Sequence, residues 1–256
     1  MSVNSMGRAA AIAAFLFVHA TFASAAEIKV YSTIGAQAAL EELTPIFEKA
    51  SGHKLAITWG TAAMLVKRVQ GGETADLLVL TRQSLDALVK DEKAATGSDA
   101  TFASSGMAVV VKNGTSKPDI STPEAFKRAL LAAKSIAYSN PAAGGASGVY
   151  FAKLLERMGI AEQMKAKTKY PPAGGNSANL VVSGDADLAF QQEPEVMSVA
   201  GVDVVGPLPG DLNNITVYAA GVGTGTKEAD AVKALIKLLH SPEAAAVFKA
   251  RGLNPA

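Results

Sequence analysis

The sequence predicts an α/β protein of two like-built lobes, each a mixed sheet flanked by helices, with a cleft between them. Three observations predict it. Short apolar runs alternate with amphipathic helical stretches from Ile28 onward, the pattern of sheets covered by helices. A second set of such units opens at Met107 and is built like the first. A turn-rich passage at Pro207, Pro209 and Gly210 then precedes a strand, Ile215 to Val222, that reads as returning to the first unit. The chain would therefore cross between lobes twice, with lobe one at 27–106 plus 212–256 and lobe two at 107–211.

In order, Ile28 to Tyr31 reads as a strand and Ala36 to Ala50 as a helix with Leu40, Leu43 and Phe47 on one face. Lys54 to Trp59 is a strand, and Ala62 to Gln70 a helix stopped by Gly71-Gly72. The continuous apolar run Asp76 to Leu80 suits a strand covered on both faces, and Gln83 to Asp91 a helix. In the second unit Met107 to Lys112 is a strand, and Pro123 at a first-turn position starts the helix Ala125 to Ala133. Ser135 to Ser139 is a strand, Ala146 to Met158 and Ser177 to Ser183 are helices, and Asp187 to Gln191 and Val202 to Val205 are strands. Lys227 to His240 and Pro242 to Arg251 close the chain as helices.

Composition narrows the function. The 256 residues include 24 Lys or Arg, 23 Asp or Glu and no Cys. Near-neutral charge gives no pull toward nucleic acid, and the lack of Cys excludes disulfides, zinc–thiolate sites and thiol nucleophiles. His53 and His240 have no partner at metal-ligand spacing, so no metal site is expected. Residues 1–26 read as a cleaved export signal: Arg8 is the basic region, Ala9 to Phe22 the apolar region, and Ala23-Ser24-Ala25 the cleavage pattern. Cleavage near Ala25 or Ala26 leaves 23 basic and 23 acidic residues in a periplasmic protein, expected to be a monomer.

Ligands of open α/β sheets gather at the carboxyl ends of strands. Four small, hydroxylated or glycine-rich loops occupy such ends: Ser32-Thr33-Ile34-Gly35, Gly60-Thr61-Ala62-Ala63, Asn140 to Ser147, and Pro172 to Ser177 with Gly175 and Asn176. Each offers backbone N–H groups at a helix start, where an anion can sit. Each also reads as an ordinary helix cap. No G-x-x-x-x-G-K-[ST] and no G-x-G-x-x-G followed by a suitable acid occurs, so no nucleotide cofactor is implied. Arg82, two residues past Leu80, either turns its guanidinium into the cleft toward a carboxylate or is a surface residue at a helix start. Gln192, at the end of a second-lobe strand, offers an amide. Tyr31 and Trp59 read as core-edge packing.

Several stretches, in order and spacing, resemble the periplasmic molybdate-binding proteins of ABC importers, within the type II periplasmic binding-protein fold. They are Val30-Tyr31-Ser32-Thr33, Leu65 to Asp76, Ser147-Gly148-Val149-Tyr150, Ser183 to Leu188 and Phe248 to Leu253. The resemblance implies two α/β lobes, a hinge of two crossing strands and an anion held by neutral donors. This chain departs from it where the family has a ligand-binding serine (here Gly35, beside Thr33) and a serine-rich second loop (here Thr61, Ala62 and Ala63). Ser147 stands where the family usually has alanine, Gln192 where it often has a closing tyrosine, and Arg82 where it rarely has a cation.

The sequence is thus read as an exported, non-enzymatic solute-binding protein that captures a molybdate-like oxyanion or a small organic carboxylate by hinge closure and delivers it to a membrane permease. The ligand residues expected are Thr33, Gly35, Thr61, Ala62, Ala63, Arg82, Ser147, Gly175, Asn176 and Gln192. The alternatives are a ligand-sensing adaptor with the same clamp, and an exported hydrolase using Ser147. The latter has only the faint G-A-S-G context, without G-x-S-x-G.

Overall fold

The computed structural model describes residues 25–172 and 174–256. All but the last two positions of the expected export signal lie outside the described residues. Strand β1 (Glu27–Thr33) runs through a 3-10 turn, Ile34–Ala36, into α1 (Gln37–Ser51). Leu40, Leu43 and Phe47 form its buried stripe, as their spacing predicts, and Gly52 ends it in the left-handed conformation (φ 75°). Then come β2 (Lys54–Gly60), α2 (Ala62–Gln70), β3 (Leu77–Thr81), α3 (Arg82–Lys90) and β4 (Ala100–Ser105). Thr61 caps α2 and Thr81 caps α3, each accepting from the N–H three residues on.

The second sheet begins after a single residue, Gly106, with β5 (Met107–Lys112). It continues through α4 (Pro123–Ala132), β6 (Ile136–Tyr138), α5 (Ala146–Arg157), α6 (Ala161–Lys165), β7 (Thr168–Lys169) and α7 (Ala178–Ser183). It ends with β8 (Leu188–Gln192), α8 (Glu193–Met197) and β9 (Val202–Pro207). The chain then returns to the first sheet as β10 (Thr216–Val222), and α9 (Ala229–Leu239), α10 (Pro242–Ala250) and β11 (Asn254–Pro255) complete it. No helix among the described residues is long and apolar enough to cross a membrane.

The strand orders are β11-β4-β10-β3-β1-β2 and β7-β6-β8-β5-β9. Both sheets are mixed: β1 pairs in parallel with β2 and β3, while β10 runs antiparallel between β3 and β4. In the second sheet β5 is antiparallel to β8 and β9. Strand β4 was not anticipated, because in Ala100–Ser105 only Phe102 is a large apolar residue; its pairing with β10 and β11 makes it a strand.

Helices α1, α9 and α10 cover one face of the first sheet, with Leu43, Phe102, Leu235 and Phe248 in one core. Leu65, Leu85 and Leu88 of α2 and α3 cover the other face over Leu78 and Leu80. In the second lobe Phe151 stacks on Phe190 with ring centroids 4.4 Å apart, and Phe126 meets both edge-on. Each buried aromatic or leucine contributes about 2 kcal/mol of apolar burial, which holds the strand ends rigidly enough to present a site. His53 Nδ1 accepts from Ala26 N–H, and both His240 nitrogens face backbone carbonyls, of Ile236 and Thr101.

Candidate functional site

The carboxyl ends of β1 and β2 face those of β6 and β8 across a cleft of about 680 Å³, open mouth included. All four donor loops contribute to its wall: Thr33 to Gly35, Gly60 to Ala62, Asn140 with Ala143 and Gly145 to Ser147, and Pro172 with Gly174 and Gly175. Their small side chains leave backbone N–H groups at the starts of α2 and α5 close to the cavity, with the positive ends of those helices behind them. Packing fixes the loops. Gly148 in the first turn of α5 lies so close to Ser139 O that a side chain there would overlap the carbonyl, and this contact sets the position of Ser147.

Seven of the ten residues singled out from the sequence line the cleft: Thr33, Gly35, Thr61, Ala62, Ser147, Gly175 and Gln192. The other three do not. Ala63 abuts Gly144 of the facing lobe, whose Cβ would stand 3.0 Å from it. Asn176 is used internally, donating from Nδ2 to Glu195 O (2.5 Å) and accepting at Oδ1 from Ala178 N–H (3.0 Å).

Arg82 corrects the sequence reading. Its Nη1 pairs with Asp99 at 2.5 Å and Asp86 at 3.1 Å, its Nε is buried without a partner, and the residue is not among those that line the cleft. The cause is local. Thr81 caps α3, so Arg82 is its first residue, and Asp86 lies one turn along. Asp99, just before β4, stands beside Gly221, which pairs with Leu78, three residues back from the strand end. The two carboxylates draw the guanidinium along the sheet instead of over its edge.

The wall that remains is neutral apart from one carboxyl. Among the described residues that line it there is no Lys, Arg or His. Thr33 Oγ1 is buried and makes no hydrogen bond, whereas the hydroxyl of Thr61 is used as a helix cap. Tyr218, buried at the start of β10, aims its hydroxyl at Gly35 and lies 3.3 Å from Ser105 Oγ. With its amide nitrogen toward the crossing strand, Gln192 donates to Gly106 O (3.1 Å) and Ser105 Oγ (2.6 Å) and accepts from Thr216 Oγ1 (2.9 Å). Gln191 Oε1 accepts from both Ser177 N–H and Ser177 Oγ at 2.8 Å, which turns its Nε2 to donate to Glu195 Oε2.

Burial pushes the Tyr218 hydroxyl above its usual range, so it stays a neutral donor. Burial likewise pushes the Glu195 carboxyl up to about 7, against the opposing pull of the Gln191 amide. No group of three or more His, Cys, Asp or Glu able to hold a metal occurs among the described residues. The arrangement can hold an anion through N–H and O–H donors, and it sets beside that anion one group able to give or take a proton near neutrality.

Sequence reasoning missed Tyr218, Glu195 and Thr216, whereas Gln191 was read with Gln192 as a strand-end amide able to donate to a ligand. Tyr218 sits within the strand-like run Ile215 to Val222, where an aromatic reads as core. Glu195 lies in a five-residue helix, too short to show a period. The one available signal was the acidic Glu193-Pro194-Glu195 directly after a strand end, the place where such sheets collect ligands.

A family model described as bacterial extracellular solute-binding protein matches residues 28–254. Among curated proteins, an aconitate isomerase from Pseudomonas sp is 34% identical over 234 residues, covering 89% of this chain and 87% of that one. The molybdate-binding protein ModA of Escherichia coli is 24% identical, covering 96% of each. Among solved structures, the Azotobacter vinelandii periplasmic molybdate-binding protein superposes with a TM-score of 0.72 at 22% identity, over 88% of this chain and 98% of that one. The sulfate-binding protein SubI of Mycobacterium tuberculosis reaches 0.72 at 17% identity, over 90% and 87%. These likenesses establish the two-lobe fold of the periplasmic binding proteins.

Proposed function

The chain belongs to the bacterial extracellular solute-binding proteins, and on that footing we propose that it is exported to the periplasm, captures a small organic polycarboxylate between its lobes and delivers it to a membrane ABC permease. The observation that carries this reading is Thr33 Oγ1, a buried hydroxyl left without a partner in a cleft walled by neutral donors. A buried polar atom without a bond costs about 1 to 3 kcal/mol, and an anion's oxygen would recover it. The aconitate isomerase relative, at 34% identity against 24% for the molybdate-binding protein of Escherichia coli, points the same way. A ligand touching both lobes favours the closed arrangement by its differential contacts. Calorimetric titration against trans-aconitate, citrate, molybdate, tungstate and sulfate tests the reading: a tricarboxylate binds at micromolar concentration and the oxyanions do not. Tight molybdate binding with no carboxylate binding would return the protein to the oxyanion binders.

One observation favours a second reading, in which the captured acid is also isomerised. Glu195 places an acid–base group with a pKa of about 7 on the cleft wall, where general acid–base chemistry is efficient. Most of the relatives named above are binding proteins, but one is named as an isomerase. Incubation of trans-aconitate with the protein in heavy water, followed by proton NMR, decides between them. Loss of carbon-bound protons and appearance of the cis isomer marks an enzyme, and an unchanged spectrum marks a binder.

A further inference from the structure

We infer that the Glu195 carboxyl is protonated whenever the cleft holds an anion, taking up a proton on binding where the free carboxyl is ionised, and that this acid form donates a hydrogen bond to the ligand. This rests on the reading of the cleft as an anion site. The argument is one of charge. An anion on this wall meets backbone N–H groups, hydroxyls, amides and one carboxyl, and among the described residues no Lys, Arg or His lines the cavity to offset a second negative charge. Two anionic groups sharing one desolvated site do not both stay ionised, and the weaker acid holds the proton.

The immediate surroundings of Glu195 permit that state. Gln191 cannot turn its amide over, because its oxygen is held by Ser177 N–H and Ser177 Oγ, so its Nε2 faces Glu195 Oε2. That donor serves a carboxylate oxygen or the carbonyl oxygen of the acid equally well, leaving the other oxygen to carry the proton.

Glu195 is the one charged side chain of α8 and the elements packed against it that lines the cleft. Glu41 of α1 accepts from Gln37, and Glu42 of α1 pairs with Arg251. Lys112 of β5 and Asp203 of β9 stand at the far ends of their strands from the cleft-lining Gln192. β8 presents only the amides of Gln191 and Gln192, and the 3-10 turn Ile34–Ala36 carries no titratable group. Tyr218, whose hydroxyl stays neutral, is the titratable group whose ionisation Glu195 opposes. On its own helix, Glu193 is also raised by burial and adds no positive charge. Burial already brings Glu195 to about 7 without a ligand, so at about pH 8.5 the free carboxyl is ionised and a proton held in the complex is one taken up on binding.

The test is calorimetric titration of trans-aconitate into the full-length mature protein at about pH 6 and about pH 8.5, each in two buffers of different ionisation enthalpy. At the higher pH the ligand is fully ionised, so any proton taken up belongs to the protein. The expected result is uptake approaching one proton per ligand at the higher pH, with affinity falling up to about tenfold per pH unit above the free-state value. Glu195→Gln, which keeps a donor without the titration, takes up no proton and binds with the same affinity at both pH values. Wild-type binding without proton uptake at the higher pH overturns the inference while leaving the polycarboxylate reading intact, as does proton uptake that persists in Glu195→Gln. Absence of binding at both pH values overturns the two together.

Discussion

Tyr218 places its hydroxyl in the space that a side chain on Gly35 would fill. Gly35 lies in the 3-10 turn after β1 and Tyr218 in β10, far apart along the chain, yet each sets what the other can be. Where the resembling family has a serine, this protein keeps glycine so that a phenol can reach the cleft wall. Gly35→Ser is expected to push against a fully packed ring and cost about 1 to 3 kcal/mol of stability, as overpacking does. It also lowers ligand affinity by displacing the Tyr218 hydroxyl. Urea unfolding and titration of the same preparation measure both.

Thr33→Val separates a ligand contact from a structural one. The hydroxyl makes no bond within the protein, so replacing it with a methyl leaves stability unchanged or raises it by about 1 kcal/mol. Affinity, by contrast, drops about tenfold, the worth of one hydrogen bond to a charged oxygen. A destabilised variant with normal affinity would show that the hydroxyl serves the fold.

Arg82→Ala leaves ligand affinity unchanged, because its Nη1 pairs with Asp99 and Asp86 and the residue is not among those that line the cleft. It lowers stability by about 1 kcal/mol: both pairs are partly exposed, and solvent screens what they contribute. A tenfold loss of affinity would put the side chain back in the cleft.

The ligand-free protein should grow more stable as pH falls from about 7 toward 4.5 wherever Glu195 controls the balance. Its native carboxyl is raised to about 7, so in that window the folded state holds a proton that the unfolded state has released. The stabilisation is complete below the unfolded value and is lost as pH rises through the native one, on the order of 3 kcal/mol in all. Thermal melts across this range show the slope, and Glu195→Gln removes it. Glu73 works in the opposite sense: Arg68 and Tyr31 hold its carboxyl down at about 2, so its contribution persists until pH falls from about 4.5 to that value.

Much of the architecture was legible because it is written in period and punctuation. Helix α2 falls on Ala62–Gln70, as its apolar spacing and following glycines require, and β5 on Met107–Lys112. The donor loops were legible as well, since small residues at strand ends are a local signal. Side-chain direction was not. Whether Arg82 faces the cleft depends on Asp99, seventeen residues away and placed by a strand that composition did not reveal. Nor could Tyr218 and Glu195 be found along one strand or helix, for both reach the cleft through the pairing of distant segments: β10 beside β3 and β4, and α8 against the turn that follows β1.

Gly106 alone separates the last strand of one sheet from the first of the other, and the space above its Cα is filled by the Asn213 amide of the returning chain, whose Oδ1 accepts from Met107 N–H at 2.8 Å. The outgoing and incoming passages are thus buttoned together at one point. For the lobe closure proposed above, such a joint would serve as an axle that resists sideways slip, so that the walls meet in one register.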